Sequence, residues 1–217
     1  MFYWLMRGLL LLLMKVCFRI SRRGQENIPY VGAVIIASNH ASNLDPCLVG
    51  SMVDRSSYFM AKEELFRIPL LGWWINKVNG FPIRRGAVDR RAMRCALEIL
   101  GRGDVLVMFP EGTRTRDGLL GKMQSGIAAL AARTGAAVVP TYVEGSFGAM
   151  RRGQIIPRPR RVCVWFGAPL VFTVGRDGDS DKLYERFAET LTDRIRDLKE
   201  NSKQKKKEGK NRRCTVN

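Results

Sequence analysis

The sequence predicts an α/β fold: a largely parallel central sheet flanked by helices, with an amphipathic, membrane-associated helix at the N-terminus. Two observations carry the sheet. Ala33-Val34-Ile35-Ile36-Ala37, Val105-Leu106-Val107-Met108-Phe109 and Ala137-Val138-Val139-Pro140 are apolar throughout, so they read as strands buried on both faces. Segments of helical periodicity lie between these runs, and strands alternating with helices indicate a parallel sheet. A third observation carries the helix. From Phe2 to Ile20 the chain is apolar but broken by Arg7, Lys15 and Arg19, which suits a helix lying in a membrane interface better than one crossing the bilayer, the alternative being a helix packed on the protein's own core.

The elements follow in order. After the first strand, Asp45-Pro46 predicts an N-cap with proline in the first turn, opening a helix through Leu48 and Met52. Tyr58-Phe59-Met60 reads as a strand, Glu63 to Asn76 as a helix interrupted near Pro69, and Phe81-Pro82-Ile83 as a short extended piece. Met93, Ala96, Leu97 and Leu100 share one face of a helix running from Asp89 and ending at Gly101. Ser125 to Thr134 is helical, Arg161 to Phe166 is a strand, and Asp181 to Lys199 is a charged helix with Leu183, Phe187, Leu191 and Ile195 on one side. Beyond Asn201 apolar residues become scarce and lysine dominates, the composition of a disordered tail. The organisation is therefore an interface helix over 1–23, one globular domain over 24–200 and a basic tail over 201–217.

Charge narrows the partners. The 217 residues carry 37 Lys and Arg against 20 Asp and Glu, a net charge of +17, which points to a polyanion: nucleic acid, an anionic membrane or a phosphorylated substrate. Both ends are basic. No acid precedes Glu26, and from Lys199 to Arg213 eight basic residues stand against Glu200 and Glu208. No nucleic-acid-binding module is recognisable, and no aromatic residues interleave with the tail's lysines. Nucleic acid is thus the remote alternative. The five cysteines are dispersed without a C-x-x-C pair, which speaks against a disulfide framework or a structural zinc site and for a reducing compartment. With one histidine in the chain, no metal site is expected.

That histidine, His40, follows directly on the first strand, in Ser38-Asn39-His40-Ala41-Ser42-Asn43-Leu44-Asp45-Pro46. A carboxylate across a tight loop can hold one ring nitrogen and leave the other as a base. The alternative is a loop histidine beside a helix-capping aspartate. A second cluster, Phe109-Pro110-Glu111-Gly112-Thr113-Arg114, leaves the most apolar strand and sets a carboxylate near an arginine, with Gly112 placed for a turn at positive φ.

Taken together, H-x-x-x-x-D and F-P-E-G-T-R resemble the glycerolipid acyltransferase family, and most of all bacterial 1-acyl-sn-glycerol-3-phosphate acyltransferases. Asn79-Gly80-Phe81-Pro82-Ile83-Arg84-Arg85-Gly86 is similar to the family's second block and Val138-Val139-Pro140 to its fourth, with all four in order between Gly24 and Leu170. Two places depart from the pattern. Asn79 stands where glycine usually opens the second block, and Met123-Gln124-Ser125 precede Gly126 where Phe-Lys is common.

The resemblance implies transfer of a fatty-acyl group from a thioester to the sn-2 hydroxyl of lysophosphatidate, giving phosphatidate. Another lysolipid or glycerol 3-phosphate is the alternative acceptor. His40 would be the general base and Asp45 its orienting partner. Lys62, Arg85, Glu111, Gly112, Thr113 and Arg114 would bind substrate, with Arg84 replacing Arg85 if the register shifts by one and with holding Arg114 in place as the alternative task for Glu111. No cofactor is implied; acyl-CoA or acyl carrier protein would be the co-substrate. The expected partners are membrane lipids, lysophosphatidate and the thioester donor, without nucleic acid. The expected location is the cytoplasmic face of the cell membrane, peripheral or monotopic.

Overall fold

The computed structural model describes residues 2–84, 89–173 and 180–214. Their elements in chain order are α1 (Phe2–Phe18), β1 (Ser21–Arg23), β2 (Val34–Ser38), α2 (Asp45–Met52), β3 (Ser57–Lys62), α3 (Pro69–Lys77), β4 (Gly80–Ile83), α4 (Arg90–Gly101), β5 (Val105–Met108), α5 (Gly126–Thr134), β6 (Ala137–Glu144), α6 (Ser146–Ala149), β7 (Cys163–Phe166) and α7 (Ser180–Cys214). The strands form one sheet in the order β1-β7-β6-β2-β5-β3-β4. All neighbours are parallel except β6 and β7.

The uninterrupted apolar strands are explained by two cores, one on each face of the sheet. Val34 and Ile36 of β2 join Val105 and Val107 of β5 beneath α1, α2 and α3, with Met14, Phe18, Leu48 and Ile75 packed there. The alternate residues, Ile35, Ala37 and Leu106, face Ile99 of α4, Ile127 of α5, and Leu191 and Ile195 of α7. The result is a three-layer sandwich with β2 and β5 at its centre. The chain leaves β2 toward β3 on one side, while β6 pairs on the other. A crevice at the carboxyl ends of such central strands is where α/β sheets bind ligands.

Three sequence expectations change. Residues 21–23 are not part of the N-terminal helix: they form β1, an edge strand paired with β7 through its backbone. The tail is not disordered from 201, because α7 continues to Cys214. Ser202 is buried, Lys205 lies 5.4 Å over the Trp165 ring, and Lys206 pairs with Glu144. An ammonium over a strand-borne tryptophan and an ion pair to β6 give this stretch the contacts its composition lacks. Third, Asp45 is not an N-cap but begins α2, with its carboxylate turned back toward His40. The helix interrupted near Pro69 resolves into a 3-10 turn over Glu63–Arg67 and then α3.

Asn79, the departure from the family pattern, has φ 61. This is the left-handed region that glycine favours and asparagine tolerates best among the other residues. Its side chain also donates to Ser56 Oγ at 3.0 Å. The substitution therefore preserves the backbone turn into β4.

α1 divides into two faces. Met14 and Phe18 are buried, and Met6, Leu10 and Leu11 pack on the same core. Leu5, Leu9, Leu12, Leu13 and Val16 are exposed. Arg7 binds Asp54 at 3.0 Å and ties the helix to the domain, and Arg22 of β1 binds the same carboxylate at 2.7 Å. The Arg22 guanidinium, hydrogen-bonded to Asp54, is the main reason its carboxyl lies below the ordinary aspartate range. No helix among the described residues is long and apolar enough to cross a membrane.

Candidate active site

β2 ends at Ser38, and the turn after it folds around a single carboxylate. Asp45 Oδ2 accepts from the backbone N–H groups of Ala41 and Ser42, each at 2.7 Å, and lies 3.0 Å from His40 Nδ1. An oxygen that already receives two backbone donors is held as an acceptor, so the ring nitrogen facing it carries the proton and Nε2 is left for a substrate. Asp45 is fully buried and His40 nearly so. The His40 ring stacks on Phe109 at 4.3 Å between centroids. Asn39 ties the turn to β6, accepting from Val143 N–H at 2.7 Å.

The turn after β5 grips the same loop. Glu111 Oε1 accepts from His40 N–H at 2.8 Å, and Oε2 accepts from Gly121 N–H at 3.1 Å. Thr115 N–H donates to His40 C=O at 2.9 Å. Both peptide groups of His40 are thus fixed from a segment about seventy positions away in the chain. Burial raises the Glu111 carboxyl above its ordinary value, opposed by the two backbone donors. Gly112 makes the required turn at φ 71, as its place in the motif predicts.

Beside this clamp lies an open cleft of about 850 Å³, lined by Glu111, Thr113, Arg114, Lys62, Arg116, Lys122 and Arg152 among others. Five cations face two carboxylates, Glu111 and Asp117, so the cleft suits an anion. His40 itself does not line it; the cleft reaches the histidine's backbone through Glu111. Cys47, one turn into α2, is no rival nucleophile. Burial and the neighbouring Asp45 charge push its thiol up to about 12. Among the described residues no group of three or more metal-ligating side chains gathers.

The structure brings together His40, Asp45, Glu111, Gly112, Thr113, Arg114 and Lys62 from three separate stretches of chain. Arg85 lies outside the described residues. Arg84 does not take its place in the cleft: it pairs with Glu63 at 2.6 Å in a separate groove. Sequence reasoning missed Asn39, Phe109, Gly121 and Arg152. The first two sit inside the recognised motifs, but their contacts cross the sheet, and Arg152 lies in no motif at all.

A family model described as Acyltransferase matches residues 19–144. The chain is 36% identical over 146 residues to the chloroplastic 1-acyl-sn-glycerol-3-phosphate acyltransferase LPAT1 of Arabidopsis thaliana, covering 64% of this chain and 38% of that one. It is 30% identical over 200 residues to the 1-acyl-sn-glycerol-3-phosphate acyltransferase of Streptococcus pneumoniae, covering 90% and 70%. The chain therefore spans about two fifths of the chloroplast relative's length but most of the bacterial one. The crystal structure of the 1-acyl-sn-glycerophosphate acyltransferase PlsC from Thermotoga maritima superposes with a TM-score of 0.71 at 27% identity, covering 90% of this chain and 81% of that one. The family match extends over more than half of the residues, and the chain belongs to the acyltransferase family.

Proposed function

We propose that the protein transfers a fatty-acyl group from an acyl thioester to the sn-2 hydroxyl of lysophosphatidate, forming phosphatidate at a membrane surface. The observation that carries this reading is a histidine locked to a buried carboxylate at 3.0 Å beside a cation-lined cleft. His40 Nε2 removes the proton from the acceptor hydroxyl, and the oxygen attacks the thioester carbonyl. The C–S bond then breaks and the thiolate leaves with the proton that His40 returns. Asp45 holds the tautomer and offsets the charge on the imidazolium. Glu111 is a positioning residue, since both its oxygens are engaged by backbone N–H groups. Arg114 and Lys62 meet the acceptor's phosphate, a task for which the guanidinium fork is well shaped.

The exposed leucines of α1 supply the membrane contact, on the cytoplasmic face where thioester donors are made. Because Met14 and Phe18 belong to the core, the contact is better tested by polar substitution of Leu5, Leu9, Leu12 and Leu13 than by deleting the helix. The function is tested with purified protein in detergent, given lysophosphatidate, other lysolipids or glycerol 3-phosphate, each with acyl-CoA or acyl carrier protein. Lysophosphatidate is expected to show the highest kcat/KM and to yield phosphatidate with release of free thiol. Preference for another acceptor would overturn the substrate assignment, and release of thiol without any acylated product would overturn the transfer itself.

A further inference from the structure

The loop joining α6 to β7 takes no part in the chemistry above, yet its composition and its shape both point to a ligand. Between Gly145 and Arg161 there are five arginines (151, 152, 158, 160 and 161) and no acidic residue. At its tip Ile155 and Ile156 are 88% and 81% exposed. Bare apolar side chains inside a charged rim mark an interaction surface.

This exposure is built in. At the neck, Gly145 adopts φ 90 and brings the backbone close against the Arg161 carbonyl, where no side chain would fit. Arg158 N–H donates to Ala149 C=O at 2.7 Å. Immediately before the isoleucines, Gln154 N–H donates to Arg151 C=O at 3.1 Å, and Arg151 N–H donates to Gln154 Oε1 at 2.9 Å. Arg151 also covers the Phe147 ring at 5.0 Å. The result is a closed Ω-loop, braced by hydrogen bonds at its base and just before its tip, that leaves both isoleucines exposed. Its position is equally informative. Arg152 lines the cleft together with Arg114. Where the loop ends, Val162 N–H donates to Phe18 C=O at the end of α1, at 3.1 Å.

We propose that this loop is a second membrane contact, in which Ile155 and Ile156 enter the acyl layer of an anionic bilayer while the surrounding arginines bind lipid phosphates at the mouth of the cleft. It deepens the acyl-transfer reading and rests on it for its purpose: a lysophospholipid passes from the bilayer to Arg114 along a basic rim. An acidic carrier protein would also suit the arginines, but it gives no reason to hold two isoleucines out in water. A bilayer engages both groups at once.

The test uses the full chain with two double variants, Ile155→Asp with Ile156→Asp and Arg158→Gln with Arg160→Gln, neither of which touches the reacting groups. Flotation is measured with phosphatidylcholine vesicles with and without phosphatidylglycerol. Turnover is measured on vesicle-embedded lysophosphatidate and on a short-chain, water-soluble lysophosphatidate. The isoleucine variant is expected to lose about tenfold or more in vesicle affinity and in turnover of the embedded acceptor, with the soluble acceptor turned over as in the wild type. The arginine variant should lose binding to the anionic vesicles alone, a loss that high salt reproduces in the wild type. Unchanged flotation and embedded turnover in both variants would overturn the proposal. So would intact vesicle binding with a raised KM for acyl carrier protein, which would make the loop a protein-docking site. If the wild type fails to acylate even the soluble acceptor, the acyl-transfer reading falls, while flotation still decides the membrane contact.

Discussion

In the turn after β2, polar groups hold one another in place: Asp45 Oδ2 gathers three hydrogen bonds, Glu111 takes two backbone donors, and Asn39 reaches across to β6. In the cleft next to it, Lys62, Arg116, Lys122 and Arg152 are long, exposed side chains on loop and strand ends. The first region holds one geometry around a buried imidazole and carboxylate. The second offers many positive charges and no single geometry. The difference matches the tasks that the proposed reaction sets. A base must be held within a few tenths of an ångström of its acceptor's proton, whereas a mobile lipid phosphate needs a field and several forks to choose from.

The contrast can be broken most severely at its rigid end. On the proposed mechanism, replacing His40 with alanine removes the general base, and kcat should fall by about 10²–10⁴-fold while the unfolding midpoint changes little. Near-normal turnover in a folded His40→Ala protein would remove the mechanism.

A subtler break keeps the ring and loosens its mount. Glu111→Gln leaves one acceptor for two backbone donors, so kcat should drop by about tenfold or more with little change in acceptor KM. The same variant has a pH signature. Burial raises the Glu111 carboxyl in the fold, so ionisation there costs more than in the unfolded chain. The stability it contributes is complete below the ordinary glutamate value and declines as pH rises through the higher folded value. The stability difference between Glu111→Gln and wild type should therefore narrow as pH rises through that window. Urea unfolding at several pH values checks this, and a gap that widens would contradict it.

The smallest effect is expected in the cleft. Arg114→Ala should raise the apparent KM for lysophosphatidate by about tenfold and leave the thioester's KM and kcat nearly unchanged, because neighbouring cations share the load. A rise in the donor's KM instead would assign this arginine to the carrier.

These outcomes also separate what was legible in the chain from what was not. Val34 to Ala37 and Val105 to Met108 announced themselves as buried strands because residues facing either core must be apolar. His40 and Asp45 could be paired because a tight loop brings them together whatever the rest of the fold does. By contrast, Ser21–Arg23 carries no apolar alternation and joins the sheet through backbone groups alone, so nothing in its side chains predicts β1.

The sequence by itself determined the α/β class, the pairing of His40 with Asp45 and the positive φ at Gly112, since each depends on residues close together in the chain or on periodicity. Only the tertiary structure decided the backbone partners of Glu111, the diversion of Arg84 to Glu63, the course of α7 past residue 201, and the place of Arg152 at the cleft. Each of those rests on a partner supplied by another segment. Glu111 could equally have faced a substrate until Gly121 and His40 were seen to occupy both its oxygens, and the lysines of α7 could have remained solvated until Trp165 and Glu144 were placed beneath them. Local sequence specifies what a side chain can do; the packing of distant elements specifies which of those options has a partner within reach.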